Sequence, residues 1–190
     1  MKGAYKLRVI SGEAKGIRLS TLKGTDTRPT SDKVKESIFN ILAPYIEKSK
    51  VLDLFSGTGN LGIEAVSRGA ESAFLVEKNR KCYDIIKKNI MKTKLNDKIK
   101  IIIKDVYSTL KNFSKIGEKF DIIFMDPPYL KGHILTCLKE IKELDLLNED
   151  GIIVAEHDIK DIIPETIDDL IKFKERKYGG TMISFYHKED

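Results

Sequence analysis

Residues 51–62 read VLDLFSGTGNLG, and the fold follows from how that stretch divides. An apolar run at 51–55 (VLDLF) ends in a glycine-rich turn, which opens a helical stretch over 60–68. Gly57, Gly59 and Gly62 carry the GxGxxG spacing of a strand–turn–helix loop that approaches a ligand with its backbone. Working outward, further apolar runs fall at 72–76 (SAFLV), 99–103 (IKIII), 120–125 (FDIIFM) and 151–155 (GIIVA). Short runs rich in β-branched residues suit strands buried on both faces of a parallel sheet. Helical candidates at 79–93 and 131–146 lie between them. Alternating strands and helices predict an α/β, Rossmann-like, doubly wound and mostly parallel sheet, with seven strands expected.

Glu77 closes the second run, where an acidic residue holds the hydroxyls of an adenosine ribose. The spacing alone fits a nicotinamide enzyme and an S-adenosylmethionine enzyme equally, because both ligands contain that ribose. Two features favour the methyl donor. Asp53 precedes the glycines, where its charge would receive an ammonium, directly or through water, and repel a pyrophosphate. The second feature is a further motif after the fourth run. Residues 126–129 are Asp126-Pro127-Pro128-Tyr129. Consecutive prolines fix φ and remove two N–H donors while leaving their carbonyls as acceptors. Asp126 adds a carboxylate acceptor and Tyr129 a flat ring. The cluster suits a planar base with an exocyclic amine, held by two acceptors and stacked on the ring.

Composition sets the outer bounds. The chain has 190 residues, 41% hydrophobic and 33% charged, with two cysteines. It is too apolar for a disordered chain and has no run long enough to span a membrane. Met1–Ile10 (MKGAYKLRVI) lacks the apolar segment of a secretory leader. Cys82 and Cys137 are expected to be reduced thiols of a cytoplasmic protein. The net charge of +5 is concentrated at the N-terminus. Up to residue 35 stand Lys2, Lys6, Arg8, Lys15, Arg18, Lys23, Arg28, Lys33 and Lys35, against Glu13, Asp26 and Asp32. A one-sided basic segment is the footprint of a nucleic-acid binder. Residues 5–10 and 16–20 alternate as a β-hairpin, and 23–30 reads as a loop. A helix capped by Thr30 or Ser31 is expected to end at Pro44. Residues 1–30 are therefore expected to form a basic hairpin appendage, and 31–190 the main domain. The stretch 181–187 (TMISFYH) alternates like an edge strand or an antiparallel addition.

Taken together, the Asp53–Gly59 turn, Glu77, Asp105 and Asp126–Tyr129 resemble the class I S-adenosylmethionine-dependent methyltransferases that modify exocyclic amines. RVISGEAKGIRL at 8–19 and RPTSDKVKESIFNIL at 28–42 are very similar to the RsmD family of bacterial small-subunit ribosomal RNA guanine-N2 methyltransferases. The resemblance implies methylation of the guanine equivalent to position 966 of 16S ribosomal RNA, free or in an assembling subunit, with S-adenosylhomocysteine as coproduct. It implies cofactor contacts at Phe55, Gly57, Thr58, Gly59, Glu77, Lys78, Asp105 and Val106, with Asp126, Pro127, Pro128 and Tyr129 around the target base. Arg28 and Thr30 are expected to border the site, and Arg8, Lys15 and Arg18 to contact RNA. Lys33 and Lys35 are weaker RNA candidates. His133 and His157 are expected to do no chemistry, and neither a metal nor an oligomer is expected. The competing readings are a DNA adenine-N6 methyltransferase, a non-catalytic RNA-binding module and a nicotinamide oxidoreductase.

Overall fold

A computed structural model describes residues 7–21 and 32–189. The chain runs α1 (Asp32–Ile46), β1 (Lys50–Leu54), α2 (Asn60–Ser67), β2 (Ser72–Val76), α3 (Arg80–Thr93), β3 (Ile99–Ile102) and α4 (Val106–Lys115). It continues with β4 (Phe120–Met125), α5 (His133–Glu143), β5 (Leu147–Asp158), β6 (Thr166–Ile167), β7 (Leu170–Tyr178) and β8 (Thr181–Lys188). One sheet takes the order β3-β2-β1-β4-β5-β8-β7-β6. The first five of these strands pair in parallel, and β8, β7 and β6 add on antiparallel.

Alternation along the strands builds two cores. Val51, Ile122 and Phe124 point to one face, where Ile38, Phe39 and Leu42 of α1, Ile63 of α2 and Ile86 of α3 cover them. Leu52, Leu54, Ile123 and Met125 point to the other, against Leu110 of α4 and Leu138 of α5. A sheet covered on both faces needs the near-continuous apolar runs seen in the sequence. Strand order reverses between β1 and β4, and the crevice beyond their carboxyl ends is where open α/β sheets bind ligands.

The structure amends several expectations. The sheet has eight strands rather than seven. The extra one, β6, is a two-residue edge strand with no periodicity to announce it. Of the two readings of 181–187, the antiparallel addition holds and the edge does not, since β8 lies antiparallel between β5 and β7. Its Ile183, Phe185 and Tyr186 are buried. Helix α4 was not expected, although Val106, Leu110 and Phe113 sit at helical spacing. Pro44 does not end α1, which continues to Ile46. Proline removes one main-chain bond there, but Ile46 is buried and anchors the last turn.

Residues 7–19 form the expected hairpin, reduced to one bridge between Arg8 and Arg18, with Val9 N–H donating to Ile17 O and Leu19 N–H to Leu7 O. The hairpin is bonded into the domain. Leu7, Val9, Ala14 and Leu19 join the core. Gly12, with φ of +84°, lies against α2 so closely that a Cβ would stand 1.6 Å from the Ser67 carbonyl oxygen. Tyr5, Lys6, the 23–30 loop, its Arg28 and Thr30, and the Ser31 cap lie outside the described residues.

Candidate active site

The site is assembled from the carboxyl ends of β1, β2, β4 and β5. After β1 the chain turns sharply: Phe55, Gly57 and Gly59 all have positive φ. Phe55 is not glycine, so its left-handed conformation costs about 1 kcal/mol and is held by the surrounding loop. Gly62 serves packing instead, because a Cβ there would stand 2.2 Å from Leu75 Cδ2. This lets α2 press onto β2. Its N–H donates to Asp53 Oδ2 at 2.9 Å, so Asp53 satisfies one of the otherwise unpaired donors at the start of α2.

Glu77 faces this loop from β2. Its carboxylate accepts from Gly57 N at 3.0 Å and from Asn79 N at 2.8 Å. Lys78 beside it is exposed. Asp105 caps α4, accepting from the N–H groups of Tyr107 and Ser108 at 3.0 and 3.2 Å. Val106 is buried beneath it. Thr58 is half-buried, and its carbonyl accepts from Asn89 Nδ2 at 3.0 Å. Asn89, fully buried on α3, also accepts from Ser20 N–H at 2.6 Å. One amide therefore ties the hairpin's second arm to the glycine loop.

The Asp126–Tyr129 turn leaves β4 directly beside the β1 turn, since Met125 is in register with Leu54. Pro127 is buried, while Pro128 and Tyr129 are exposed. The Tyr129 hydroxyl donates to Glu156 Oε1 at 2.8 Å. A cleft of about 320 Å³ opens here, lined by Pro127, Pro128, Tyr129, Glu156 and the β5–β6 loop at Ile162.

Carboxylates crowd this crevice. Burial, then the charge of Glu77, pushes Asp53 up to about 7. Burial, then Glu156, then Asp53, holds Asp126 well above the usual carboxylate range. Tyr129 also keeps its proton more tightly than a free phenol, through desolvation of its hydroxyl, although the ring is exposed, and through the adjacent Glu156. Acids that disfavour one another's charge make a crevice suited to a cationic ligand.

Glu156 was not among the site residues expected from the sequence. It follows the apolar run 151–155 as Asp126 follows 120–125, so an acid just after a buried apolar run was the available signal, although β5 itself continues to Asp158. His133 packs its ring 5.6 Å from that of Phe55 and is hydrogen-bonded to the Tyr107 hydroxyl at 2.8 Å. His157 is buried on β5 against Ser184 Oγ at 2.9 Å, and burial lowers its pKa. Both cysteines are buried free thiols.

Among the basic candidates, Arg8 pairs with Asp32 at 2.9 Å, while Lys15 and Arg18 are exposed. Lys35 is not available to RNA. It is fully buried, with Nζ 2.9 Å from Glu64 Oε2, and it donates to Arg8 O and Asn60 Oδ1. Its helical position turns it inward to join α1, α2 and the hairpin, which no feature of the local sequence signals.

With this geometry in hand, the likeness to known proteins is specific. The family model described as "Conserved hypothetical protein 95" matches residues 7–187. "Putative rRNA methyltransferase YlbH" of Bacillus subtilis is 43% identical over 182 residues, covering 96% of this chain and 99% of that protein. "Ribosomal RNA small subunit methyltransferase D" of Escherichia coli is 29% identical over 187 residues, covering 98% and 92%. The solved structure of "Putative methyltransferase yhhF" from Escherichia coli superposes with a TM-score of 0.84 at 28% identity, covering 97% of this chain and 98% of that one. A sheet of this order, a glycine turn facing Glu77, and full-length similarity to these enzymes place the chain in the RsmD family of class I methyltransferases.

Proposed function

We propose that this protein transfers a methyl group from S-adenosylmethionine to the exocyclic N2 amine of one guanine in 16S ribosomal RNA, the guanine the family resemblance implies, acting in the cytoplasm as a monomer without a metal. The observation that carries this reading is the convergence of Asp53, Asp126 and Glu156 beside an exposed aromatic ring. A pyrophosphate would be repelled there, whereas a ligand bearing an ammonium and a sulfonium is attracted. The small-subunit specificity named for the Escherichia coli relative supports RNA as the substrate.

When bound, S-adenosylmethionine supplies an electrophilic methyl carbon and leaves as S-adenosylhomocysteine. The residues of the chain do the rest. The Phe55–Gly59 backbone and Asp53 hold the methionine end, Glu77 with Lys78 holds the ribose, and Asp105 and Val106 border the adenine. A guanine leaves its stack at a cost of a few kcal/mol and lies against Tyr129, a contact worth about 1–3 kcal/mol. Asp126 and a proline carbonyl accept the two N–H bonds of the amine. This draws them out of the ring plane and frees a lone pair that is otherwise delocalised. Positioning and electrostatics then supply the rate. The amine's surplus proton passes to Asp126, whose raised proton affinity suits it to receive one. Arg8, Lys15, Arg18, Arg28 and Thr30 are proposed to hold RNA around this pocket, with the N-terminal segment of 1–30 as its contact element and 31–190 as the methyltransferase domain.

The reading is tested by mapping methylated nucleotides in ribosomal RNA from cells with and without the gene, and by transfer of labelled methyl to 16S RNA and duplex DNA in parallel. One N2-methylguanine lost with the gene is expected. Label entering only DNA adenine, or no label at all, would refute it.

Asp53 gives a pH prediction. A carboxyl held near 7 receives an ammonium only when ionised, so cofactor affinity rises with pH and levels off above about 7. Below that point each pH unit weakens binding by up to about tenfold. Titration calorimetry across this range should show the slope, and Asp53→Asn should flatten it.

A further inference from the structure

We propose that the exposed face of α3, formed by Lys81, Lys87, Lys88 and Lys92 and continued by Arg18 of the hairpin, docks the phosphate backbone of the RNA substrate. This rests on the function proposed above and extends it to a surface that the N-terminal charge count did not reveal.

Helix α3 carries Arg80, Lys81, Lys87, Lys88 and Lys92 against a single acid, Asp84. On each of α1, α4 and α5 at least one cation is paired within the protein. Lys35 of α1 meets Glu64, Lys111 of α4 lies 4.0 Å from Glu140, and Lys142 of α5 meets Asp169. No ion pair among the described residues involves a cation of α3.

The arrangement works against the helix itself. Arg80 and Lys81 occupy the first turn, where the helix dipole disfavours positive charge, and no acid stands there. Lys88 and Lys92 are four residues apart, a like-charge spacing that costs about 0.2–0.5 kcal/mol. Among the described residues no ion pair offsets these costs, with Asp84 the one acid on the helix, and a polyanion would offset them.

Position supports the same partner. α3 leaves the turn that holds Glu77, so its first residues border the crevice. From Lys81 to Lys92 the helix extends roughly 16 Å. Lys87, Lys88, Met91 and Lys92 with Asp84 bound a shallow groove of about 490 Å³. The hairpin joins this face. Lys92 Nζ donates to Ser20 Oγ at 2.8 Å, and Asn89 holds the Ser20 main chain. Arg18, two residues before Ser20, is exposed. A strand of RNA whose flipped base enters the Tyr129 cleft would meet a mainly basic track along the hairpin and α3, with Asp84 its one acid on the helix.

The test compares two triple variants of the full chain with equal charge loss. One is Lys81→Gln/Lys87→Gln/Lys88→Gln on α3. The other is Lys111→Gln/Lys115→Gln/Lys139→Gln on α4 and α5, across the sheet. Glutamine preserves helix propensity. Binding to a protein-free 16S RNA fragment is measured across a salt series, with cofactor affinity and kcat at saturating RNA. The α3 variant should bind RNA about tenfold or more weakly, with a log–log salt slope shallower by about two to three. Its cofactor affinity and kcat should match wild type, and the control should bind RNA as wild type does. An α3 variant no weaker than the control overturns the proposal. So does a loss seen only on protein-containing subunit particles, which would assign the surface to a protein partner. Wild-type protein that neither binds nor methylates 16S RNA would instead refute the function on which this rests.

Discussion

Asp126→Ala will lower the single-turnover rate of methyl transfer by about 100- to 1000-fold, equivalent to about 3–4 kcal/mol of transition-state stabilisation. The loss should appear in kcat, with little change in cofactor affinity, because Asp126 acts on the amine rather than on the ribose or the methionine end. A structural role would predict something else. Burial among Glu156 and Asp53 raises the Asp126 pKa. A raised carboxyl contributes stability that is complete below the ordinary carboxylate range and lost as the pH rises through its folded value. At neutral pH and above, removing it therefore leaves the fold as stable as wild type or more so. Thermal unfolding beside single-turnover kinetics separates the two. A variant that keeps its rate, or loses it only by unfolding, would remove Asp126 from the mechanism.

Glu64→Gln will destabilise the fold by about 3–5 kcal/mol, because it strands a buried ammonium. Glu64 is fully buried and accepts from Ile10 and Ser11 N–H, and its oxygens lie 2.9 Å from Lys35 Nζ and 2.8 Å from Arg68 Nε. Burial already lowers the Lys35 pKa, and Glu64 opposes that shift. Without Glu64 the shift deepens, so the deficit should shrink at alkaline pH, where Lys35 loses its proton. Adding Lys35→Met should recover much of the loss, since an apolar side chain of similar length needs no counter-charge. Urea unfolding of the two single variants and the double variant gives the coupling directly. Additive losses would show that the pair does not act as a unit.

The two predictions differ in how far the sequence anticipated them. Asp126 was legible because its neighbours are adjacent in the chain. An apolar run, an acid, two prolines and an aromatic ring say where a buried strand stops and what its end offers. The glycine turn and Glu77 were legible for the same reason, each being local chemistry at a strand end. Glu156 was not expected, because β5 runs on past it to Asp158 and no turn marks its position. The Glu64–Lys35 pair has no such signature, since nothing near Lys35 distinguishes it from a solvated lysine.

Along the chain, hydrophobic period and turn chemistry determined the order of elements apart from α4 and β6, the parallel half of the sheet and most residues of the crevice, because these depend on contacts within a few residues. Only tertiary packing decided that Lys35 is buried, that β8 lies inside the sheet and that Tyr129 meets Glu156. It also decided that α3 lies beside the hairpin. Each depends on groups far apart in sequence whose meeting is set by the fold's crossings, and charge or burial at such places is a property of the assembled surface rather than of any local segment.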